Sequence, residues 1–269
     1  MFKSLKRSFT CTRLQHLLVL ALLIAAGGAA ASMPARIRSG SGCPPCSHLV
    51  TLAENFDSVT PPALPPLWLA TNALGPPPLW VTSDSGPPAP PADTPPNAAF
   101  IDDPADLSDK RLDSASFSFF ESCCAQVSFR HNFNLEASDI DPNVGFDGGV
   151  LELSTDGGNT FQDVLAAGGS FVMGGYNRTI AADRGSPIAG RQAWSGNSGG
   201  FMTSVVNVPA FQVAAGTKFR WRMASDYSGS GDGWRVDTAS ISRCFLVGCT
   251  PKPLPTARPR PTPAPRPSP

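Results

Sequence analysis

Gln126-Val127-Ser128-Phe129-Arg130-His131-Asn132-Phe133-Asn134-Leu135 alternates polar with apolar side chains along its whole length. Successive side chains of a strand point to opposite faces. Val127, Phe129, His131, Phe133 and Leu135 therefore make one apolar face, and Gln126, Ser128, Arg130, Asn132 and Asn134 make a wet one. The same rhythm recurs elsewhere. Phe219, Trp221 and Met223 alternate with Lys218, Arg220 and Arg222; Trp234 and Val236 with Arg235 and Asp237; Phe117 and Phe119 with Ser116 and Ser118. Gly, Pro, Asn and Asp clusters separate these runs, and helical periodicity is nearly absent. Short strands with one wet face predict an all-β fold, an antiparallel β-sandwich or barrel.

One hairpin can be placed closely. Ser154-Thr155-Asp156-Gly157-Gly158-Asn159-Thr160-Phe161 follows the strand Val150–Leu153 and fits the Asp-box pattern S-x-D-x-G-x-T-aromatic. The aspartate is expected to accept turn amides, glycine to supply positive φ, and Phe161 to return to the core. A single copy argues for a hairpin and not for a sialidase. Residues 61–96 are rich in proline, with Trp68 and Trp80 embedded. Proline suits edges and loops, so this stretch reads as a stiff surface segment pinned by its two tryptophans.

The chain divides into four parts. Lys3, Lys6, Arg7 and Arg13 precede an apolar run from Leu17 to Ala26, and Ala29-Ala30-Ala31 follows. This reads as an export signal over residues 1–31, cleaved after Ala31, because the run is too short to cross ~30 Å of hydrocarbon. Residues 32–49 are a linker with a cysteine pair, and residues 50–245 a single domain by length. Residues 246–269 are a disordered tail, with nine prolines between 250 and 269. The expected location is outside the cell or on its surface, with no membrane span once the signal is removed.

Net charge is zero over the whole chain. Residues 43–249 nevertheless hold 11 basic against 21 acidic residues, a net of −10. Such a domain repels phosphate backbones, which argues against nucleic acid as a partner. Cys43, Cys46, Cys123, Cys124, Cys244 and Cys249 remain after export, and an even number in an exported chain favours disulfides whose pairing the sequence leaves open. Adjacent Cys123 and Cys124 point to opposite strand faces and are expected to bond different partners. Cys43-Pro44-Pro45-Cys46 has redox-pair spacing but no βαβ surroundings, so a local bridge is expected.

Several stretches carry a resemblance: Pro95–Pro104, Ser108–Ser114, Phe146–Glu152 with the hairpin after it, Gly190–Phe201 and Gly233–Asp237. Together these look like the jelly-roll accessory modules, MAM-like or concanavalin-like, of secreted bacterial proteases and surface proteins. They are similar to the non-catalytic sandwich of immune-inhibitor-A-type metallopeptidases, over roughly residues 52–243. The resemblance implies a structural Ca²⁺ where the first and last strands meet. An early E-x-F-D segment, Glu54-Asn55-Phe56-Asp57, would join a late W-x-x-D segment, Trp234-Arg235-Val236-Asp237. Glu54, Asp57 and Asp237 are the candidate metal ligands, with Asp102 and Asp103 next; the alternative is that these acids cap turns. Asp139-Ile140-Asp141-Pro142-Asn143-Val144 begins like a calcium loop but has Val144 where glycine is needed, and reads as a solvated turn.

Catalytic signals are weak. Gly196-Asn197-Ser198-Gly199-Gly200 fits a nucleophile elbow, but no helical pattern follows it, and His131 lies on an apolar strand face as a core histidine. Paired carboxylates for glycoside hydrolysis would draw on Glu54, Glu121, Glu136 and Glu152, whose surroundings do not distinguish them. The leading expectation is a secreted, non-catalytic binding or surface-adhesion module for an extracellular glycan or protein. Trp194, Tyr176 and Tyr227, the aromatics of the most glycine-rich loops, are the candidate ligand-binding residues. The alternatives are a glycan-acting hydrolase and a purely structural fragment of a larger secreted protease or surface protein.

Overall fold

The computed structural model of the chain describes residues 47–118, 124–209 and 216–245. The expected signal, the linker cysteines Cys43 and Cys46, Phe119, Glu121, Cys123, Cys249 and the proline-rich tail lie outside the described residues.

The strands are β1 (Ser47–Glu54), β2 (Leu69–Leu74), β3 (Val81–Ser83), β4 (Ala98–Ile101), β5 (Ser108–Asp113), β6 (Cys124–Leu135), β7 (Val144–Gly145), β8 (Gly148–Ser154), β9 (Gln162–Asp163), β10 (Ser170–Met173), β11 (Arg178–Ile180), β12 (Gln192–Ala193), β13 (Gly196–Asn197), β14 (Met202–Pro209), β15 (Lys218–Ser225) and β16 (Gly233–Phe245). The first sheet runs β10-β14-β6-β16-β4-β3, with β1 also on β16 and β13 on β6. The second runs β2-β5-β15-β8-β9, and a small third sheet runs β12-β11-β7. The chain crosses repeatedly between the two large sheets: β4 to β5, β5 to β6, β14 to β15, β15 to β16. That weave is an antiparallel β-sandwich of the jelly-roll kind; the parallel pair β7–β11 belongs to the small sheet. Among the described residues there is no helix, and so none long and apolar enough to cross a membrane.

The alternation in β6 is realised as read except at Asn132, which is buried. Val127, Phe129, His131, Phe133 and Leu135 are buried, while Gln126, Ser128, Arg130 and Asn134 are half-buried. Opposite them stand Phe219, Trp221 and Met223 of β15 and Leu151 and Leu153 of β8 in one continuous core. Burying each such side chain contributes about 1.5–3 kcal/mol, more for the tryptophans. Gly149 of β8 is small for a reason: a Cβ there would run into the ring of Trp234. Cys124 and Cys244 are register partners on β6 and β16; both are buried and disulfide-bonded.

The outer face of β16 departs from the sequence reading. Arg235 and Asp237, expected in water, are fully buried, because the proline-rich segment lies across them. Prolines lack an N–H, so this stretch presents carbonyls without donors of its own. Arg235 supplies them: its guanidinium donates to Ser85 (2.6 Å), Gly86 (3.0 Å), Pro87 (3.0 Å), Pro88 (3.1 Å) and Pro91 (3.0 Å). Asn132 adds bonds to the carbonyls of Pro88, Ala89 and Pro90. The Asp237 carboxylate accepts the N–H groups of Asp93 and Thr94 at 2.8 and 2.9 Å. The two tryptophans do pin the segment: Trp80 meets Trp234 edge-on at 5.4 Å and Trp68 stacks on Trp221 at 5.5 Å.

Candidate functional site

The outer face of the second sheet carries a chain of ion pairs. On β5, Asp109 takes the guanidinium of Arg111 (2.6 Å) and that of Arg222 from β15 (2.8 Å). Arg222 also reaches Glu152 on β8 (3.0 Å), Glu152 takes Arg191 (2.6 Å), and Arg191 ends on Asp163 of β9 (2.7 Å). The strand residues share this face because β5, β15, β8 and β9 are adjacent and each stands on the outward phase of its strand; Arg191 reaches them from the segment just before β12. Beside this row, Arg220 holds Asp113 at 2.6 Å and covers the ring of Phe161 at 3.5 Å. Phe161 was expected to return to the core; it is half-buried beneath Arg220 instead. The hairpin turn before it holds by side chains. Asp156 accepts the Thr160 N–H (2.9 Å), the Thr160 hydroxyl (2.6 Å) and the Ser154 hydroxyl (2.7 Å), which draw its carboxyl down to about 2.

The row ends in a depression of about 210 Å³ lined by Asp163, Leu165, Ala166, Tyr176, Arg191 and Gln192. Tyr176 is half-buried there. Its hydroxyl accepts the Leu151 N–H at 3.0 Å and lies 3.2 Å from both the Leu151 carbonyl and the Asp163 carboxylate. Burial, then the Asp163 charge, push the phenol up. Arg191 moves up as well, because its bonds to Asp163 and Glu152 outweigh a burial that lowers it. Asp109 sits below the ordinary carboxylate range: burial raises it, and the two arginine pairs more than offset that.

Of the three loop aromatics, the structure brings only Tyr176 to this depression. Trp194 is 0% exposed. Its ring is packed by Tyr176 (4.7 Å), His131 (4.9 Å), Phe129 (5.5 Å) and Trp234 (5.9 Å), and its indole donates to the Gly174 carbonyl. It offers no face to a ligand. The glycines around it in sequence, Gly190, Gly196, Gly199 and Gly200, all have positive φ and serve turns, while the close approach comes from β8, where a Cβ on Gly148 would strike Ala193. Tyr227 is 60% exposed but does not line the depression. Asp163 and Gln192 were missed because β9 and β12 are two-residue strands with no periodic signal, and Arg191 because it lies outside any strand.

Ser198 is a structural residue. Its hydroxyl accepts the Phe133 N–H (2.9 Å) and faces Asn132 Oδ1 (3.0 Å) and the Gly200 carbonyl (2.9 Å). His131 is fully buried; its Nδ1 accepts from the Trp234 indole at 3.3 Å and its Nε2 meets Ser204 at 2.8 Å, not Ser198. Burial, then Arg130, hold its pKa at about 3, so it is neutral. Glu152 is held by two arginines and Glu54 accepts the Phe56 N–H at 2.8 Å.

The Glu54, Asp57 and Asp237 carboxylates are engaged by donors of the chain. Asp57 accepts the Asn97 N–H (3.0 Å) and an Asn55 amide hydrogen (2.6 Å); Asp237 accepts from Asp93, Thr94 and Thr238. Asp102 receives the buried Lys110 ammonium at 2.6 Å. Asp139 and Asp141 stand in a turn closed by Asp141, which accepts the Asn143 N–H at 2.9 Å. Among the described residues, the acids whose ligand oxygens all lie within 4.8 Å of one another are Glu136, Asp147 and Asp226.

No family model matches the chain, and no curated protein matches it. Solved structures do. The K1 cleaved adhesin domain of Lys-gingipain from Porphyromonas gingivalis is 17% identical, with a TM-score of 0.42, over 71% of this chain and 96% of that one. The CBM22-1 xylan-binding domain of Paenibacillus barcinonensis Xyn10C is 7% identical, with a TM-score of 0.42, over 76% of this chain and 100% of that one. The module TmCBM61, solved with β-1,4-galactotriose, is 10% identical, with a TM-score of 0.39, over 65% of this chain and 88% of that one.

Proposed function

We propose that the chain is an exported, non-catalytic binding module that takes an uncharged glycan on the outer face of its second sheet. The observation that carries this reading is the ion-pair row from Asp109 through Arg222, Glu152 and Arg191 to Asp163, ending beside Tyr176. Every guanidinium in the row already faces a carboxylate, so the row itself leaves no arginine over to draw an anionic ligand. What the row offers to solvent is the edges of its fixed guanidiniums (side chains 17–28% exposed) and the Asp163 carboxylate (19%), while Asp109 and Glu152 lie beneath and hold the arginines in place. A sugar's neighbouring hydroxyls each donate and accept, and such a surface suits them. The depression is below the ~300 Å³ at which pockets engulf a small molecule. It suits one ring, with the rest of the oligomer lying along the sheet. The export signal read over residues 1–31 and the disulfide-bonded Cys124 and Cys244 agree with a place outside the cell.

The test is an array of neutral and anionic oligosaccharides probed with the purified chain, followed by calorimetry on the best neutral hit. Arg191→Ala is expected to weaken that hit at least tenfold and Tyr227→Ala to leave it unchanged. Failure of every neutral glycan, or a hit indifferent to Arg191→Ala, overturns the reading.

A further inference from the structure

We propose that Asp103, Glu136, Asp147 and Asp226 form a Ca²⁺ site that clamps one end of the two large sheets together. Each acid follows or precedes a strand. Asp103 and Glu136 come just after β4 and β6 of the first sheet; Asp147 directly precedes β8 and Asp226 directly follows β15 of the second. The ligand oxygens of Glu136, Asp147 and Asp226 lie within 4.8 Å of one another, about twice a Ca²⁺–oxygen distance of ~2.4 Å, as ligands around one ion must. The Asp103 and Asp147 side chains hydrogen-bond to each other, which for two carboxyls requires a shared proton that Ca²⁺ would displace.

A second observation points to a ligand. Asp103 Oδ1, Glu136 Oε2, Asp147 Oδ2 and Asp226 Oδ2 are all buried and receive no N–H or O–H from elsewhere in the chain. Asp147 is 0% exposed and Asp226 1%. Buried polar oxygens without partners are costly. Their sister oxygens are meanwhile fixed by the backbone. Asp103 Oδ2 accepts from Glu136 (3.0 Å) and Gly231 (2.8 Å), Asp147 Oδ1 from Asp226 (2.6 Å) and Asp226 Oδ1 from Ser228 (2.7 Å). Each of these three carboxylates is thus held by one oxygen with the other left over. Among the described residues, none of the four acids has an ion-pair partner; the neighbouring Lys110 is taken by Asp102, and Arg184 stacks on Phe146. Gly229, at φ +78°, lies so close that a Cβ would enter the Glu136 carboxylate. The donors are all oxygen, which excludes the nitrogen and sulfur sets zinc prefers. Irregular, mainly carboxylate ligation fits Ca²⁺ better than Mg²⁺, which keeps octahedral geometry and several waters. This site is separate from the Glu54, Asp57 and Asp237 set.

The experiment is calorimetric titration of the chelator-treated chain with CaCl₂, with bound calcium counted by elemental analysis. One ion per chain is expected, with a melting temperature that rises by several degrees when calcium is added. Glu136→Gln, half-buried and so compatible with folding, is expected to weaken calcium at least tenfold, as is Gly229→Ala, which serves if the first variant does not fold. Asp57→Asn is expected to leave the affinity as it was. No calcium uptake by the wild-type chain overturns the proposal. So does uptake that survives both Glu136→Gln and Gly229→Ala, or that is abolished by Asp57→Asn. Glycan binding at Arg191 stands or falls separately.

Discussion

Arg222 grips Asp109 with two parallel bonds, Nε to Oδ1 at 2.8 Å and Nη2 to Oδ2 at 3.0 Å. The two residues are diagonal across β15 and β5: Ala224 stands opposite Asp109, and Arg222 stands opposite Arg111. That offset leaves the remaining arm of Arg222 free to reach Glu152 at 3.0 Å on the other neighbouring strand. One side chain therefore ties three strands. Arg222→Met keeps the aliphatic stem and leaves Asp109 and Glu152 with one guanidinium each. Exposed pairs contribute under ~1 kcal/mol and breaking buried ones costs ~3–5 kcal/mol. The pairs here are mostly shielded, so we expect a loss of about 2 kcal/mol in urea unfolding. An unchanged midpoint contradicts a row that stabilises the sheet.

Arg235 is expected to be the keystone of the proline-rich segment. Arg235→Lys retains a charge but not the planar fork that meets five carbonyls. Several buried carbonyls lose their donor, a cost of about 3 kcal/mol or more. Urea unfolding should show that loss, and limited proteolysis should cut the variant first between residues 84 and 94. A variant as protease-resistant as the parent contradicts the assignment.

Acid should destabilise the fold through His131. Burial, then Arg130, bring its folded pKa to about 3, against about 6.5 in the unfolded chain. Between those values the unfolded chain binds a proton that the folded one refuses. Stability is therefore full above about 6.5 and falls as pH drops, by up to about 1.4 kcal/mol per unit. His131→Gln removes this contribution. Melting curves from pH 7 to pH 4 should fall more steeply for the parent than for the variant, whatever their difference at neutral pH. Parallel curves contradict the account.

Ser198→Ala should cost about 1–2 kcal/mol, since it removes the acceptor of the buried Phe133 N–H. A serine-directed fluorophosphonate should label parent and variant equally, at background. Labelling of the parent that disappears in the variant contradicts the structural role.

The strands that were legible in the sequence are those with one face in the core and the other in water. β6 and β15 are central strands of this kind, so period-two alternation shows through. β16 was half legible. Its apolar phase, Trp234 and Val236, reads correctly, but Arg235 and Asp237 are buried by a segment 144–150 residues earlier, and no local pattern carries that. Trp194 was misplaced because glycine-rich surroundings suggest an exposed loop; those glycines do make turns, but the tryptophan between them points inward and is 0% exposed. The four acids at the sheet ends are scattered over positions 103, 136, 147 and 226, so only the fold gathers them. Asp103 is read from the sequence as a candidate metal ligand after Glu54, Asp57 and Asp237, but its partners are not; the useful clue would have been an acid directly adjoining a strand end on each side of the sandwich.

Calorimetry of the chain with its best neutral oligosaccharide, run alongside the uronic-acid counterpart of the same linkage, tests the central claim most directly. A surface whose arginines are all paired should bind the neutral sugar, lose at least tenfold with Arg191→Ala, and show no preference for the charged one. Tighter binding of the uronate, or equal binding by Arg191→Ala, would contradict a neutral-glycan face on the second sheet.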